Sequence, residues 1–395
     1  MPDRVVEWTD LFGGLLSGPA GPESREFLVF KKAGQPLLVM PRGVSAQVAL
    51  SLYPAQTALA RLARFVWGQA VRLGLSGGAE RVWVRLDSSQ RFVQFLQAQA
   101  ADATSHSRAA KPKRPEPGTA RRRSREPASS VPFALLAGNP HAPGRRFLLL
   151  LLDANGAPLV VVKAGADALA GTLIEHEADF LETNGLQVQG LPRFLGKFED
   201  PPLRAFAMEF IEGESPGPGQ APGVVALLQA WLKSGVRCTM GEIPAWKRLA
   251  VAGRRDALFA ALETRLASLT VQAPLFHGDL APWNLKVSTL DGSWTALDWE
   301  RGERSGPPAW DWFHYLLQPA ILVRRESAAA LAETAHEFLA SNAFGDYAQA
   351  AGIVGHEPEL LLAYLLHCRD VLRPAEGSPR IAELLSLLAP QWVRS

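Results

Sequence analysis

Residues 276–287 read FHGDLAPWNLKV, with His277, Asp279 and Asn284 set between apolar residues. The spacing His-x-Asp-x-x-x-x-Asn lets one loop present a carboxylate that takes the proton of an attacking hydroxyl and an amide oxygen that holds a magnesium ion. Phosphoryl transfer makes both demands. A second oxygen ligand is required, because the ion must bridge the transferring phosphates. The stretch WTALDWERG supplies a carboxylate, Asp298, at the end of an apolar strand. LKVSTLDGSWTALD reads as the hairpin leading to it, with Asp291-Gly292 as its turn. His277 is expected to brace the loop.

Upstream, PLVVVKAG carries Lys163 on a strong strand pattern, and Glu177 follows in TLIEHEADFL. A lysine touching the donor's phosphates needs a glutamate from a neighbouring helix to fix it. Leu173, Ile174, Glu177 and Leu181 share one helical face, so Glu177 is expected to point at the sheet while Glu175 does not. LLAGNPHAPGRRFLL places Gly138 and Gly144 between two strands, where backbone N–H groups could meet phosphates. The loop lacks a full G-x-G-x-x-G pattern, and by itself it equally suits an ordinary Pro/Gly connection.

The elements that must position these residues follow from periodicity. FALLAG, RRFLLLLLD, APLVVVKAG and RAFAMEFI read as strands, with DANGAP as a hairpin turn. ALAGTLIEHEADFLETNG reads as a helix closed by Gly185. After Gly213 the pattern turns helical to the end of the chain. Before all this, EFLVF, PLLVM and RVWVRL read as strands, QTALARLARFVWGQAVRLGL as a helix, and SSQRFVQFLQAQAA as a helix capped by Ser88. Residues 104–130, TSHSRAAKPKRPEPGTARRRSREPASS, hold no large apolar side chain and are expected to be disordered.

Composition limits the alternatives. A chain of 395 residues has room for two or three domains. The net charge of +2 argues against a nucleic-acid polyelectrolyte, so basic character must be local, in residues 108–126, which could make a weak contact with an anionic surface. Two cysteines are too few for a disulfide framework or zinc cluster and suit a reducing compartment. No apolar run approaches a membrane span and the N-terminus lacks a signal pattern, so a cytoplasmic location is expected.

Lys163, Glu177, HGDLAPWN, LDWE and GPPAWDWFHYLL together resemble the aminoglycoside phosphotransferase and choline kinase family, the small-molecule branch of the protein-kinase-like fold. The resemblance implies an α+β, two-lobed chain: a β-rich N-lobe over 131–212 and a helical C-lobe over 213–395. Residues 1–103, read as an accessory α/β module, and the basic linker 104–130 fall outside the family's pattern. It makes Asp279 the catalytic base, Asn284 and Asp298 the Mg²⁺ ligands, and Lys163 with Glu177 the phosphate clamp. Asp311 would support the loop from below, and MEFIEG would meet the nucleotide base through the backbone near Glu209 and Ile211. The implied activity is transfer of the γ-phosphate of ATP or GTP to a hydroxyl of a small acceptor such as a sugar, amino sugar or choline-like alcohol. Only WERGERSGPPA separates Asp298 from the next helix, leaving no platform for a peptide substrate. The alternative is a catalytically silent, nucleotide-binding scaffold.

Overall fold

A computed structural model of the chain describes residues 16–17, 24–32, 34–41, 65–69, 79–110, 131–137, 144–217, 220–372 and 379–392, together with Leu11 and Leu62. The chain divides into two compact units, Met1–Glu182 with Pro192–Phe210 and Thr183–Leu191 with Ile211–Ser395. A sheet dominates the first and helices the second, an α+β arrangement.

The first unit is built on strands β1 (Leu16–Ser17), β2 (Arg25–Lys32), β3 (Gln35–Pro41) and β4 (Glu80–Arg85), then helix α1 (Arg91–Ala110). Strands β5 (Phe133–Ala137), β6 (Arg146–Leu152) and β7 (Pro158–Gly165) follow, then helix α2 (Ala168–Asn184) and strands β8 (Phe194–Asp200) and β9 (Leu203–Glu209). All nine strands form one antiparallel sheet in the order β1-β4-β2-β3-β5-β6-β7-β9-β8. The first hundred residues are therefore continuous with the strands that follow. β3 pairs with β5 through Leu38 opposite Leu136 and Val39 opposite Leu135. Alternation along the strands sends Phe27, Val29, Val39, Leu135, Leu149, Val160, Val162 and Ala207 to one face, where Phe92, Val93 and Leu96 of α1 close a single core over them.

The boundary expected at residue 103 falls inside α1, which continues to Ala110. Residues 104–110, TSHSRAA, extend a helix whose earlier turns are already anchored in the core, so propagation needs no apolar face of its own. Residues 111–130 lie outside the described residues, as does most of the helix expected over QTALARLARFVWGQAVRLGL. Ser88 is not the cap of α1. The helix begins at Arg91, and Asp87 organises the turn before it by accepting the Ser89 N–H at 2.9 Å. Gly185 follows α2 directly but is not among the left-handed glycines; instead Asn184 O accepts the N–H groups of Gln187 and Val188. The turn DANGAP forms as read, with Asp153 Oδ1 accepting from Asn155 N and Ala157 N and Gly156 at φ 81°.

The second unit begins with α3 (Ala221–Lys233), β10 (Val236–Thr239), α4 (Pro244–Gly253), α5 (Ala257–Leu266) and β11 (Thr270–Ala273). It continues through the short strands β12 (Leu285–Val287) and β13 (Trp294–Ala296), then α6 (Trp310–Pro319), α7 (Ala328–Leu339), α8 (Asn342–Ala351), α9 (Glu357–Asp370) and α10 (Pro379–Trp392). Every residue of α9 from Glu359 to Cys368 is buried, as a helix must be when its apolar side chains encircle it. Trp231, Trp246, Trp299, Trp310, Phe313 and Tyr347 are likewise fully buried in this unit, as is Tyr364 of α9.

Candidate active site

The loop after β11 is fixed before its functional residues begin. Phe276 and Glu303 exchange backbone hydrogen bonds at 2.9 and 2.8 Å, and Leu275 N–H donates to Trp231 O. Asp311, near the start of α6, then accepts the N–H of His277 on Oδ2 at 2.7 Å and the N–H of Gly278 on Oδ1 at 2.9 Å. Gly278 stands at φ 76°, where an added Cβ would meet the Arg301 Cβ at 3.0 Å, so the bend that aims both N–H groups at one carboxylate needs glycine. Burial pushes the Asp311 carboxyl up to about 7, and the two N–H bonds act against that rise.

His277 is fully buried against the Trp299 ring. Its Nε2 donates to Leu297 O at 2.8 Å, and its Nδ1 accepts the Asp279 N–H at 3.2 Å. Burial lowers its pKa to about 4, keeping the ring neutral so that one nitrogen can donate while the other accepts. It ties the Asp279 segment to the segment that carries Asp298.

The Asp279 side chain retains 23% exposure, enough for a ligand atom to reach it. Oδ1 lies 3.0 Å from His314 Nε2, and Oδ2 accepts from the Asn284 amide at 3.3 Å. Burial favours the protonated carboxyl, but the hydrogen bond from His314 and the positive charge of Arg301 act against it and leave Asp279 below its ordinary value. The group is an ionised, doubly oriented proton acceptor.

Asn284 also donates its amide to Asp279 O at 2.8 Å. With the NH₂ committed to Asp279, the amide oxygen is the side-chain atom that could ligate an ion. Leu297 N–H donates to Asn284 O at 2.7 Å, which sets Asp298 beside the asparagine in the backbone. Asp298 lies two residues beyond β13 at φ 70°, a left-handed conformation that turns its carboxylate off the strand direction. The hairpin ahead of it has the expected turn, with Gly292 at φ 71° and Asp291 Oδ1 accepting from Ser293 N and Oγ. Among the described residues no cluster of three or more His, Cys, Asp or Glu could hold an ion alone. An amide and a carboxylate oxygen fit Mg²⁺, which binds few protein ligands and completes its shell with phosphate oxygens and water.

In the first unit, Lys163 of β7 faces away from the α1 core, and its Nζ donates to Glu177 Oε1 at 2.6 Å and Oε2 at 2.8 Å. Glu177, 1% exposed, shares the buried face of α2 with Ile174 and Leu181, whereas Glu175 turns out to pair with Arg204. Gly144 stands at φ 66° against Leu169, and the neighbouring Arg145 guanidinium lies 4.9 Å from the Phe147 ring centre. Gly138 lies outside the described residues. Glu209 ends β9 with its N–H on Arg193 O and its Oε1 accepting the Arg193 N–H. The division between the units falls between Phe210 and Ile211.

Sequence reasoning missed His314 and Tyr364, whose hydroxyl lies 3.2 Å from His314 Nδ1. The available signal was the spacing of Asp311, His314 and Gln318, three polar residues at intervals of three and four that share one face of the helix.

No family model matches the chain, and no curated protein matches it. Solved structures similar to it include small-molecule kinases. A thermostable mutant of the aminoglycoside phosphotransferase APH(4)-Ia, in ternary complex with ADP and hygromycin B, is 12% identical over 66% of this chain and 95% of its own, with a TM-score of 0.42. The aminoglycoside phosphotransferase APH(3'')-Id of Streptomyces rimosus, in complex with ADP and streptomycin, is 17% identical over 55% of this chain and 88% of its own, at 0.36. An ethanolamine kinase of Plasmodium vivax is 10% identical over 63% and 79%, at 0.42.

Proposed function

We propose that this protein is a phosphotransferase that moves the γ-phosphate of ATP or GTP to a hydroxyl of a small molecule. One observation carries the reading: an ionised Asp279, held by His314 and Asn284 on a loop pinned to Asp311, with a second oxygen donor, Asp298, brought alongside by Leu297. A scaffold that only bound nucleotide would need no oriented proton acceptor.

In this mechanism Asp279 accepts the proton of the acceptor hydroxyl as its oxygen forms a bond to the γ-phosphorus and the bond to the β-phosphate oxygen breaks. Lys163, held by Glu177, neutralises charge on the donor's phosphates, and the backbone of Glu209 and Ile211 meets the base. Asn284 and Asp298 would hold Mg²⁺, which when bound supplies charge neutralisation across the phosphates. The acceptor is a sugar, amino sugar or choline-like alcohol.

The test is Mg²⁺-dependent turnover of ATP by purified full-length protein with pooled hydroxylated acceptors. Asp279→Asn should lower turnover by at least ~10² while leaving the thermal midpoint near that of the parent. Asp298→Ala should abolish turnover. Full activity in Asp279→Asn would overturn its assignment as the base, and absence of both Mg·ATP binding and turnover would overturn the function.

A further inference from the structure

Helix α6 buries a histidine on the same face as Asp311 and Gln318. His314 is 2% exposed, between Trp310, Phe313 and Leu317. Burying an imidazole costs free energy unless both ring nitrogens are satisfied, and a leucine would fill the space without that requirement. Both nitrogens are in fact engaged. Nε2 lies 3.0 Å from Asp279 Oδ1, and Nδ1 lies 3.2 Å from the hydroxyl of Tyr364, which reaches in from α9.

The two contacts constrain each other. A carboxylate can only accept, so Nε2 must carry a proton. In the neutral ring Nδ1 is then bare and accepts from the Tyr364 O–H. Tyr364 is 2% exposed and packs edge-on against Trp310, so its hydroxyl cannot swing away to solvent. The chain from α9 through α6 to the loop thus ends on one oxygen of Asp279, while Asn284 takes the other. A carboxylate gripped at both oxygens has its plane fixed, and that plane decides whether an incoming hydroxyl meets a lone pair.

We propose that His314 is a positioning residue for Asp279, holding the plane of its carboxylate for proton acceptance, with Tyr364 orienting the ring. This rests on the phosphotransferase reading above. His314 acts through Asp279 and touches no reacting atom.

Two measurements on the full-length protein test it. The first is steady-state turnover of Mg·ATP with an acceptor pool that supports the parent protein, for His314→Leu, His314→Gln and Tyr364→Phe, each normalised to its folded fraction. His314→Leu should lower kcat by about 10- to 100-fold with KM for ATP within about twofold, the loss that follows when a reacting group is misplaced. His314→Gln, which retains a donor, should recover much of that loss, and Tyr364→Phe should fall between. A filler of the core would instead lower the folded fraction and leave kcat per folded molecule unchanged, with glutamine no better than leucine; that result overturns the proposal. The second is ¹⁵N-histidine NMR, with the His314 signals identified by their loss in His314→Gln. Nε2 should carry the proton, and Asp279→Asn should shift that signal. An unmoved signal would show that the contact is absent and overturn the proposal even if the protein is a kinase. A shifted signal in a protein with no turnover of any acceptor would instead overturn the phosphotransferase reading, and the positioning role with it.

Discussion

Lys163 and Glu177 show how much a buried pair depends on both members. The glutamate is 1% exposed at its side chain and the lysine 9%, so neither charge reaches bulk water when the other is removed. Removing one partner of such a pair typically costs ~3–5 kcal/mol, whereas replacing both with apolar residues of similar volume is often close to neutral. Lys163→Met is therefore expected to lower the urea midpoint markedly by stranding Glu177. The double variant Lys163→Met with Glu177→Leu should regain most of that stability and still fail to bind Mg·ATP. Recovery of nucleotide binding along with stability would show that the pair serves the fold alone. The pair was legible in the sequence, because strand and helix periodicity are local and the phase of α2 singles out Glu177 over Glu175. So was the Asp279–Asn284–Asp298 set, which lies within one loop and one hairpin. His314 was not, because its partners, Asp279 and Tyr364, are 35 and 50 residues away and no local spacing connects them.

At the level of elements, the 276–284 loop owes its shape to buried helices packed against it, and these carry titratable groups with opposed pH dependence. His367 of α9 is 3% exposed beside the Trp310 ring; burial, with the charges of Arg248 and Arg301, lowers its pKa from 6.5 to about 3. Between these values the unfolded chain binds more protons than the folded one. The contribution of His367 to stability is thus complete above about pH 6.5 and is lost as the pH falls toward 3. Asp311, raised from 3.8 to about 7, acts the other way: the folded state holds its proton first, so its contribution grows as the pH falls from 7 toward 4. His367→Gln is expected to lose less stability than the parent between pH 6.5 and 4, with a slope smaller by up to about 1.4 kcal/mol per pH unit. Urea midpoints across that range check it, and parallel curves would mean that the ring is protonated in the folded state. The helical character of the chain after Gly213 was readable from apolar period, but the break between α4 and α5 was not; there Asp256 caps α5 by accepting from Leu258 N and Phe259 N. Nor were strands β8, β10 and β11 readable. FLGKFED is mostly half-exposed, with Phe198 its one buried side chain, and the four-residue pair β10–β11 is too short to show a period.

For the molecule as a whole, the decisive feature is a sheet that runs through the expected domain boundary. Strand reading located β2, β3 and β4, with β2 and β3 as neighbouring strands, but could not say that β3 goes on to pair with β5, since that partner lies about a hundred residues on and leaves no local sequence mark. Pairing β3 to β5 and laying α1 across the sheet commits Phe27, Val29, Val39, Val84, Phe92, Val93 and Leu96 to the same core as Leu135, Leu149 and Val162. At ~1.5–3 kcal/mol for each large apolar side chain buried, those seven exceed much of the ~5–15 kcal/mol by which a domain is stable. Without them β5, sequence FALLA, becomes an apolar edge open to aggregation. A chain starting at residue 104 should therefore be insoluble or lack a cooperative melt. A sharper test leaves the sheet ladder and α1 core described above intact: a specific protease site placed within 111–130 and cleaved after folding. The two pieces are expected to co-elute in gel filtration and melt within a few degrees of the uncut chain, because ladder and core hold them together without the peptide link. Separation into two folded species would instead mean an independent module on a tether, with a sheet that ends at β5.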